Sequence, residues 1–372
     1  MVTTVPGTFH FLLAYAHHFR AEGWRVEAMT GQRPMPDQTR EAFDAVHEVA
    51  WSRRLADPHN VRAVAQARRV IRDGHYDIVH THTPIASFVT RTALATLPAA
   101  TRPRLVYTAH GLHFHSGGKP LSNAWYAAAE ALAGRVTDRL VVINEEDRRA
   151  AARLRVVAAD RLVLMPGIGI DLDHYRRTPE LLAQSVQCRA ALKLPDAAVL
   201  LTAVAELTPR KNLATAIAAL AHNPDRRLHL CLAGAGPLAG ELAEQARRLG
   251  VDDRVHLLGS VPDVRPLVLS SAALVLPSRQ EGLSRAVMEA MALGVPVIGG
   301  RTRGIADLVE PNAGLLVDPD DVVGLSLAYD AVQMHAHGDL LVSRLSSRLS
   351  ALSLDHLIRL HVQLYASVLP NA

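Results

Sequence analysis

Two carboxylates eight residues apart, Glu281 and Glu289, stand in the most informative stretch of the chain, residues 278–298. The spacing predicts a loop carrying the first glutamate, a helix carrying the second, and a short apolar strand over Val295–Ile298. Ser284 is a candidate N-cap, and Gly294 falls just past the expected helix end. A helix N-terminus beside Gly282, Leu283 and Ser284 presents free N–H groups and a partial positive charge, which suits a phosphate. Glu289 falls among Ala286, Val287, Ala290 and Met291. A carboxylate there needs hydrogen-bonding partners, and ligand hydroxyls would supply them. The expectation is that Glu289 faces a water-filled cleft until a ligand arrives. The alternative reading of the same spacing is an ordinary exposed helix residue.

A second cluster carries the opposite charge. Glu206 to Asn212 follows a strand-like run and opens a helix-like one, with Arg210 and Lys211 adjacent at its tip. Guanidinium and ammonium groups there suit a phosphate, the former bidentately. A solvated basic turn is the alternative. Gly7, in Val5-Pro6-Gly7-Thr8, and Gly236, in Gly234-Ala235-Gly236, permit close backbone approach, although any turn would use Pro-Gly. The second glycine run fails as a dinucleotide fingerprint: the third glycine is misplaced, and no ribose-binding acid follows Val255–Leu258. Val261 lies in the loop Gly259–Asp263. His80, His82, His110, His113 and His115 form a further set, with His80 and His82 on one strand face. Imidazoles bind metals, but no carboxylate or cysteine completes a familiar ligand motif here, and Asp171 with Asp173 reads as a structural turn. No metal site is expected. Neither a G-x-S-x-G elbow nor a Walker loop is present.

Glu281 and Glu289 match the E-x7-E pattern of family-4 retaining glycosyltransferases, and the flanks Pro277–Arg279 and Ala290–Ile298 match too. The segments Asp77–Pro84, Tyr107–His115, Arg135–Asp138 and Ile143–Asp147 resemble those that line the cleft in a bacterial polysaccharide branch of that family. The resemblance covers nearly the whole chain. It implies an α/β GT-B fold, two Rossmann-like domains with parallel sheets facing each other across a cleft. The domains are expected over residues 1–166 and 167–352, with a helix over 353–372 crossing back to the first. It implies a retaining hexosyltransferase that moves a hexose or N-acetylhexosamine from a nucleotide diphosphate sugar, a UDP-sugar foremost. The acceptor would be a lipid-linked saccharide or a related small molecule, and no cofactor is implied.

The same resemblance assigns site residues. His110 corresponds to the family's cleft histidine, which contacts the donor sugar or the acceptor, and Glu281 would orient donor hydroxyls near the anomeric carbon. Glu289 would hold the ribose and Lys211 the diphosphate. Gly7 lies in the first glycine-bearing loop, which here opens almost at Met1 although the family pattern has several residues before it. Gly236 borders the nucleotide pocket and Val261 the base. The family often carries an arginine where this chain has Glu206, and Arg210 is the substitute. Three other readings stay open: transfer to a soluble antibiotic-type aglycone, a GT-B nucleotide-sugar epimerase or phosphorylase, and a nucleotide-binding scaffold without activity.

Two domains are also what the length demands, since 372 residues exceed a single typical core. With 49% hydrophobic and 20% charged residues the chain is globular rather than disordered. Cys188 and Cys231 offer at most one bridge, which points to a reducing compartment. No apolar run is long enough to span a bilayer and no signal-like segment opens the chain, so a cytoplasmic protein, placed at the inner face of a membrane, is expected. The net charge is +4, carried partly by pairs such as Arg53-Arg54, Arg68-Arg69, Arg148-Arg149 and Arg247-Arg248. Only 4% of residues are aromatic, which leaves little stacking surface for nucleic acid. A basic face meeting a diphosphate or anionic lipid fits better, so peripheral membrane contact is expected.

The positioning elements read as alternating strands and helices. Strands are expected over Val2–Val5, Arg25–Met29, Ile78–His82, Leu105–Ala109, Leu140–Ile143 and Leu162–Met165. After a crossing near Pro166–Gly169 they resume over Ala198–Ala205, Leu228–Ala233, Val255–Leu258 and Ala273–Leu276. Helices are expected over Phe9–Glu22, Val61–Asp73, Asn212–Ala221 and Leu354–Val368.

Overall fold

The computed structural model describes residues 1–4, 6–31, 34–52, 57–114, 119–309, 314–334 and 349–369. Val5, the Arg53-Arg54 pair and His115 therefore lie outside the described residues. In chain order, a 3-10 helix (Pro6–Phe11) and α1 (Leu13–Ala21) lead to β1 (Glu27–Gly31), α2 (Asp37–Glu41), β2 (Ala45–Val49) and α3 (His59–Gly74). Then follow β3 (Ile78–Thr81), α4 (Pro84–Ala95), β4 (Arg104–Ala109), α5 (Pro120–Gly134), β5 (Arg139–Val142), α6 (Glu145–Arg153) and β6 (Leu162–Leu164). The pattern restarts with α7 (Pro179–Ala191), β7 (Val199–Val204), α8 (Leu213–His222), β8 (Leu228–Ala233), α9 (Ala239–Arg248) and β9 (Val255–Gly259). It continues with α10 (Arg265–Leu269), β10 (Ala273–Leu276), α11 (Arg285–Ala292), β11 (Val297–Gly300), β12 (Gly314–Val317), α12 (Val322–Met334) and α13 (Leu354–Ala366).

The chain divides into two compact units, Met1–Ile168 with Asp355–Ala372, and Gly169–Leu354. In the first unit every strand pair is parallel: β1 pairs with β2, and β3, β4, β5 and β6 follow in order. The expected strand over Val2–Val5 contracts to Val2, which bridges both Met29 of β1 and Thr81 of β3 and so joins the two ribbons. The expected helix Phe9–Glu22 is divided into the 3-10 turn and α1, which starts from its N-cap Leu12 without a side-chain capping bond. The edge strand β2 and the helices α4 and α5 were not expected. α4 and α5 both start with proline at the first turn, a position whose missing N–H costs nothing.

The second unit holds a parallel sheet in the order β12-β11-β10-β7-β8-β9. Its four central strands are buried and largely apolar because both faces are covered. Leu201, Leu230, Leu232, Val275 and Ile298 point into one layer, with Tyr329 of α12. Leu274, Leu276 and Val297 point into the other, with Val287 and Met291 of α11. This is the doubly-wound order, two three-strand halves that run outward from the adjacent pair β7 and β10. The two units are Rossmann-like domains, and their ends fall within one or two residues of most expected strands.

Candidate functional site

Strand order reverses between β7 and β10, so the loops leaving their carboxyl ends diverge and open a crevice. Both charged segments singled out in the sequence leave from this point. After β7 the chain makes a 3-10 turn over Pro209–Lys211, and Asn212, in the left-handed conformation at φ 55°, starts α8. The Asn212 amide donates to Pro319 O at 2.7 Å, and its oxygen accepts from Thr215, which fixes the turn. After β10 the loop Pro277–Ser284 leads into α11. The backbones of the two loops meet where Arg279 N donates to Arg210 O at 2.9 Å.

The side chains meet as well. Lys211 Nζ donates to Glu281 Oε1 at 2.5 Å, Ser278 Oγ donates to the same oxygen at 2.8 Å, and Arg210 Nη1 lies 3.5 Å from Oε2. Glu281 and Lys211 are mostly buried while Arg210 is 42% exposed, so a carboxylate is enclosed with one cation beneath it and another at the surface. Arg303 Nε donates to the Glu281 carbonyl at 3.2 Å. Gly304 supports the loop from below: its φ is +78°, and a Cβ there would meet Gly282 O at 2.2 Å. Gly282 and Leu283 are half-buried, Leu283 against the core, and Ser284 is buried at the N-cap of α11. Ser284 makes no side-chain capping bond, contrary to the expected cap chemistry; its backbone conformation sets the position.

Glu289 differs from the expectation. It is 8% exposed and does not stand open to water, and it is no ordinary exposed helix residue. Tyr175 Oη donates to its Oε1 at 2.7 Å, and Arg285 Nε, one turn earlier on α11, donates to the same atom at 2.8 Å. The partners that a buried carboxylate needs are thus the protein's own. Oε2 accepts from neither. Burial, then the charge of Glu289, pushes the Tyr175 phenol above its ordinary range, so it remains a donor.

Gly236 and Val261 sit at the ends of β8 and β9. A Cβ on Gly236 would meet Leu207 O at 2.4 Å, so the close approach for which glycine is needed is to the chain's own β7 loop. Gly234, at φ +153°, is pressed against Ala205 O in the same way. Val261 is half-buried and packs on the cluster around Leu200 and Cys231.

Gly7 and His110 belong to the first unit. Gly7 lies in the 3-10 helix Pro6–Phe11, where a turn was expected. His110 follows β4 and stacks on His82 with ring centroids 5.7 Å apart. His82 stacks in turn on His80 at 4.0 Å, and His80 on His361 of α13 at 5.8 Å. His80 is held at both nitrogens, by Tyr365 Oη at 2.6 Å and Thr108 Oγ1 at 2.8 Å. Neither ring nitrogen of the buried His82 has a partner among the described residues. Desolvation lowers all of these imidazoles, helped by their mutual repulsion: His80 and His82 fall well below the ordinary range and His110 to about 4. The stack is therefore neutral at pH 7. His113 instead packs on Tyr126 at 4.9 Å.

Sequence reasoning missed Ser278, Tyr175, Arg285, Arg303 and Gly304 around the glutamates, and His361 and Tyr365 in the stack. Only Arg285 carried a signal, by lying four residues before Glu289 on the expected helix.

Comparison with known proteins agrees with this geometry. Residues 7–174 match the family described as Glycosyltransferase Family 4, and residues 198–333 match Glycosyl transferases group 1. EpsD of Bacillus subtilis (strain 168), a protein named as a glycosyltransferase, is 31% identical over 84% of this chain and 80% of its own. An Escherichia coli UDP-Gal:alpha-D-GlcNAc-diphosphoundecaprenol alpha-1,3-galactosyltransferase is 26% identical over 78% of this chain and 74% of its own. In structure, the Anabaena protein HepE in complex with UDP-glucose superposes with a TM-score of 0.80 at 20% identity, over 98% of this chain and 99% of its own. The chain belongs to the family-4 glycosyltransferases and has the GT-B fold.

Three measurements test the site. Lys211→Ala is expected to weaken UDP binding by about 1.5–3 kcal/mol, the scale of a charge-assisted hydrogen bond, while uridine binding changes much less. Equal losses by calorimetry would remove Lys211 from the phosphate site. Glu289→Leu strands the Tyr175 hydroxyl and is expected to lower stability by about 1–3 kcal/mol in urea, whereas Glu289→Gln keeps an acceptor and loses less. For the histidines, the folded state stays neutral while the unfolded chain takes up protons below about pH 6.5, so stability is complete above that pH and falls as the pH drops towards the folded-state values. His82→Phe is expected to reduce the stability lost between pH 7 and pH 5 by about 2 kcal/mol. An unchanged difference would mean that His82 is protonated in the native protein.

Proposed function

We propose that this glycosyltransferase moves a hexose or N-acetylhexosamine from a UDP-sugar, with retention, to a lipid-linked saccharide. The observation that carries the proposal is the juxtaposition of Lys211, Arg210 and Glu281 where the strand order reverses between β7 and β10. Departure of a nucleoside diphosphate places new negative charge on phosphate oxygens. Lys211, Arg210 and the positive end of the α11 dipole would supply positive charge there. Lys211 would exchange Glu281 for the diphosphate, and the released Glu281 would accept hydrogen bonds from donor sugar hydroxyls. Glu289 would offer Oε2 to the ribose while Tyr175 and Arg285 hold Oε1. Gly236, Val261 and Gly7 would line the donor's nucleotide and phosphates. His110, neutral at pH 7, would act as a hydrogen-bonding partner to the transferred sugar or the acceptor and not as a fixed charge. Fixed cations at the diphosphate make a divalent ion unnecessary in this reading.

Support for the donor and acceptor comes from the relatives. One is named for a UDP-Gal donor and a diphosphoundecaprenol-linked acceptor, and a structural neighbour was solved with UDP-glucose. The test is a screen of UDP- and GDP-sugars against polyprenyl-diphosphate saccharides and soluble aglycones, with and without EDTA. Net transfer from a UDP-sugar to the lipid-linked acceptor, unaffected by EDTA and retaining the anomeric configuration, is expected. Transfer only to soluble aglycones, epimer formation without acceptor, or loss of turnover in EDTA restored by Mg²⁺ would each overturn the corresponding part.

A further inference from the structure

Three consecutive residues after β11 are bonded to, or pressed on, the loop that carries Glu281. β11 lies beside β10, so the loops at their carboxyl ends leave the sheet side by side. Thr302 Oγ1 donates to Ser278 O at 3.2 Å, and Arg303 Nε donates to Glu281 O at 3.2 Å. Gly304 is pressed on the Gly282 carbonyl, where a Cβ would come within 2.2 Å. Its left-handed φ of +78° is kept by its own N–H, which donates to Asp307 Oδ2 at 3.0 Å. Beneath the turn, Ile305 and Leu308 are buried in the apolar layer that also holds Val287 and Met288 of α11. The turn is therefore anchored in the core on one side and joined to the Glu281 loop on the other.

These contacts fall on backbone, and that decides what they do. Lys211 and Ser278 hold the Glu281 carboxylate. Arg303 instead holds the peptide that carries this side chain, and Thr302 holds the peptide of Ser278. A loop outside helix and sheet lacks their ladder of backbone bonds, so its peptides are fixed by what packs on them. A carboxylate that must meet ligand hydroxyls to within about 0.5 Å needs such support behind it. The diphosphate side of the crevice is braced separately. Lys211 belongs to the loop after β7, which is tied down by the bond from Asn212 to Pro319 O at 2.7 Å. Loss of the Arg303 bond should then be felt by the sugar half of a donor and spare the nucleotide half.

Resting on the UDP-sugar reading above, we infer that Arg303 is a positioning residue of the donor site: through the Glu281 peptide it sets how firmly the transferred sugar is held. The test is calorimetric binding of UDP, UDP-glucose, UDP-galactose and UDP-N-acetylglucosamine to the full chain and its variants. Glutamine carries its amide nitrogen as many bonds from the backbone as arginine carries Nε, whereas methionine has a methyl group there and lysine a methylene with the charge beyond it. Arg303→Met and Arg303→Lys are expected to weaken the best-bound UDP-sugar about tenfold and UDP by less than about twofold, for the loss of one hydrogen bond from a charged donor. Arg303→Gln, which restores a donor at the same place without the charge, should come within about threefold of the parent. Thr302→Val, which removes only the hydroxyl bond to Ser278, should weaken the UDP-sugar about threefold and spare UDP. Equal losses for UDP and UDP-sugar in Arg303→Met would mean a general loosening of the crevice and overturn the inference. Recovery by lysine and not by glutamine would make Arg303 a counter-ion of the diphosphate, which overturns it too. Undiminished UDP-sugar binding by Arg303→Met would overturn it alone and leave the donor reading in place. A parent that binds none of the UDP-sugars would overturn the donor reading and Arg303's role with it.

Discussion

The second unit is organised by one constraint: a parallel sheet wound outward in two directions must leave a gap between its central strands. Helices cover the faces of β7 and β10 but leave them on opposite sides, so the loops at their carboxyl ends are not filled by packing. What closes them is polar. The Lys211–Glu281 pair, the Arg279–Arg210 backbone bond and the Asn212–Pro319 bond tie three loops together. Apolar side chains there would stabilise the loops equally well. Charge is thus kept in a largely enclosed place, held by bonds between loops and not by apolar packing.

The two glutamates show how environment separates like residues. Glu281 meets a largely buried lysine and an exposed arginine, both from the loop after β7. Glu289 is fixed at one oxygen by a tyrosine and by an arginine of its own helix. The glycines make a related point. Gly234, Gly236 and Gly304 are needed because neighbouring backbone already occupies the place of a Cβ, so they pack the loops against one another.

In the first unit burial dominates. Four imidazoles stack from the end of β4 to α13, and removing them from water keeps them neutral. Two groups that segment spacing would treat separately, the β3–β4 histidines and the terminal helix, become one hydrogen-bonded column through Tyr365. The same unit carries α5, where a buried arginine draws the helix's charge inward and leaves its apolar residues outside.

By itself the sequence determined the alternation of strands and helices, the parallel sheets and the two charged loops. Each rests on local information: apolar runs bounded by glycine and proline, an N-cap position, or a motif of fixed spacing. Glu281, Lys211 and Arg210 were legible because they stand in turns between a strand and a helix and match a pattern of fixed spacing. What the tertiary structure decided was every contact across a long separation. Lys211 reaches Glu281 over 70 residues, Tyr175 reaches Glu289 over 114, and His80 reaches Tyr365 over 285. No periodicity encodes such pairs. The Glu289 environment was misread for that reason, since neighbours along a helix do not reveal which side chains arrive from elsewhere. α5 escaped for a related one: its pattern is amphipathic in either orientation, and only the packing of Glu130 on Arg91 decides which face looks outward.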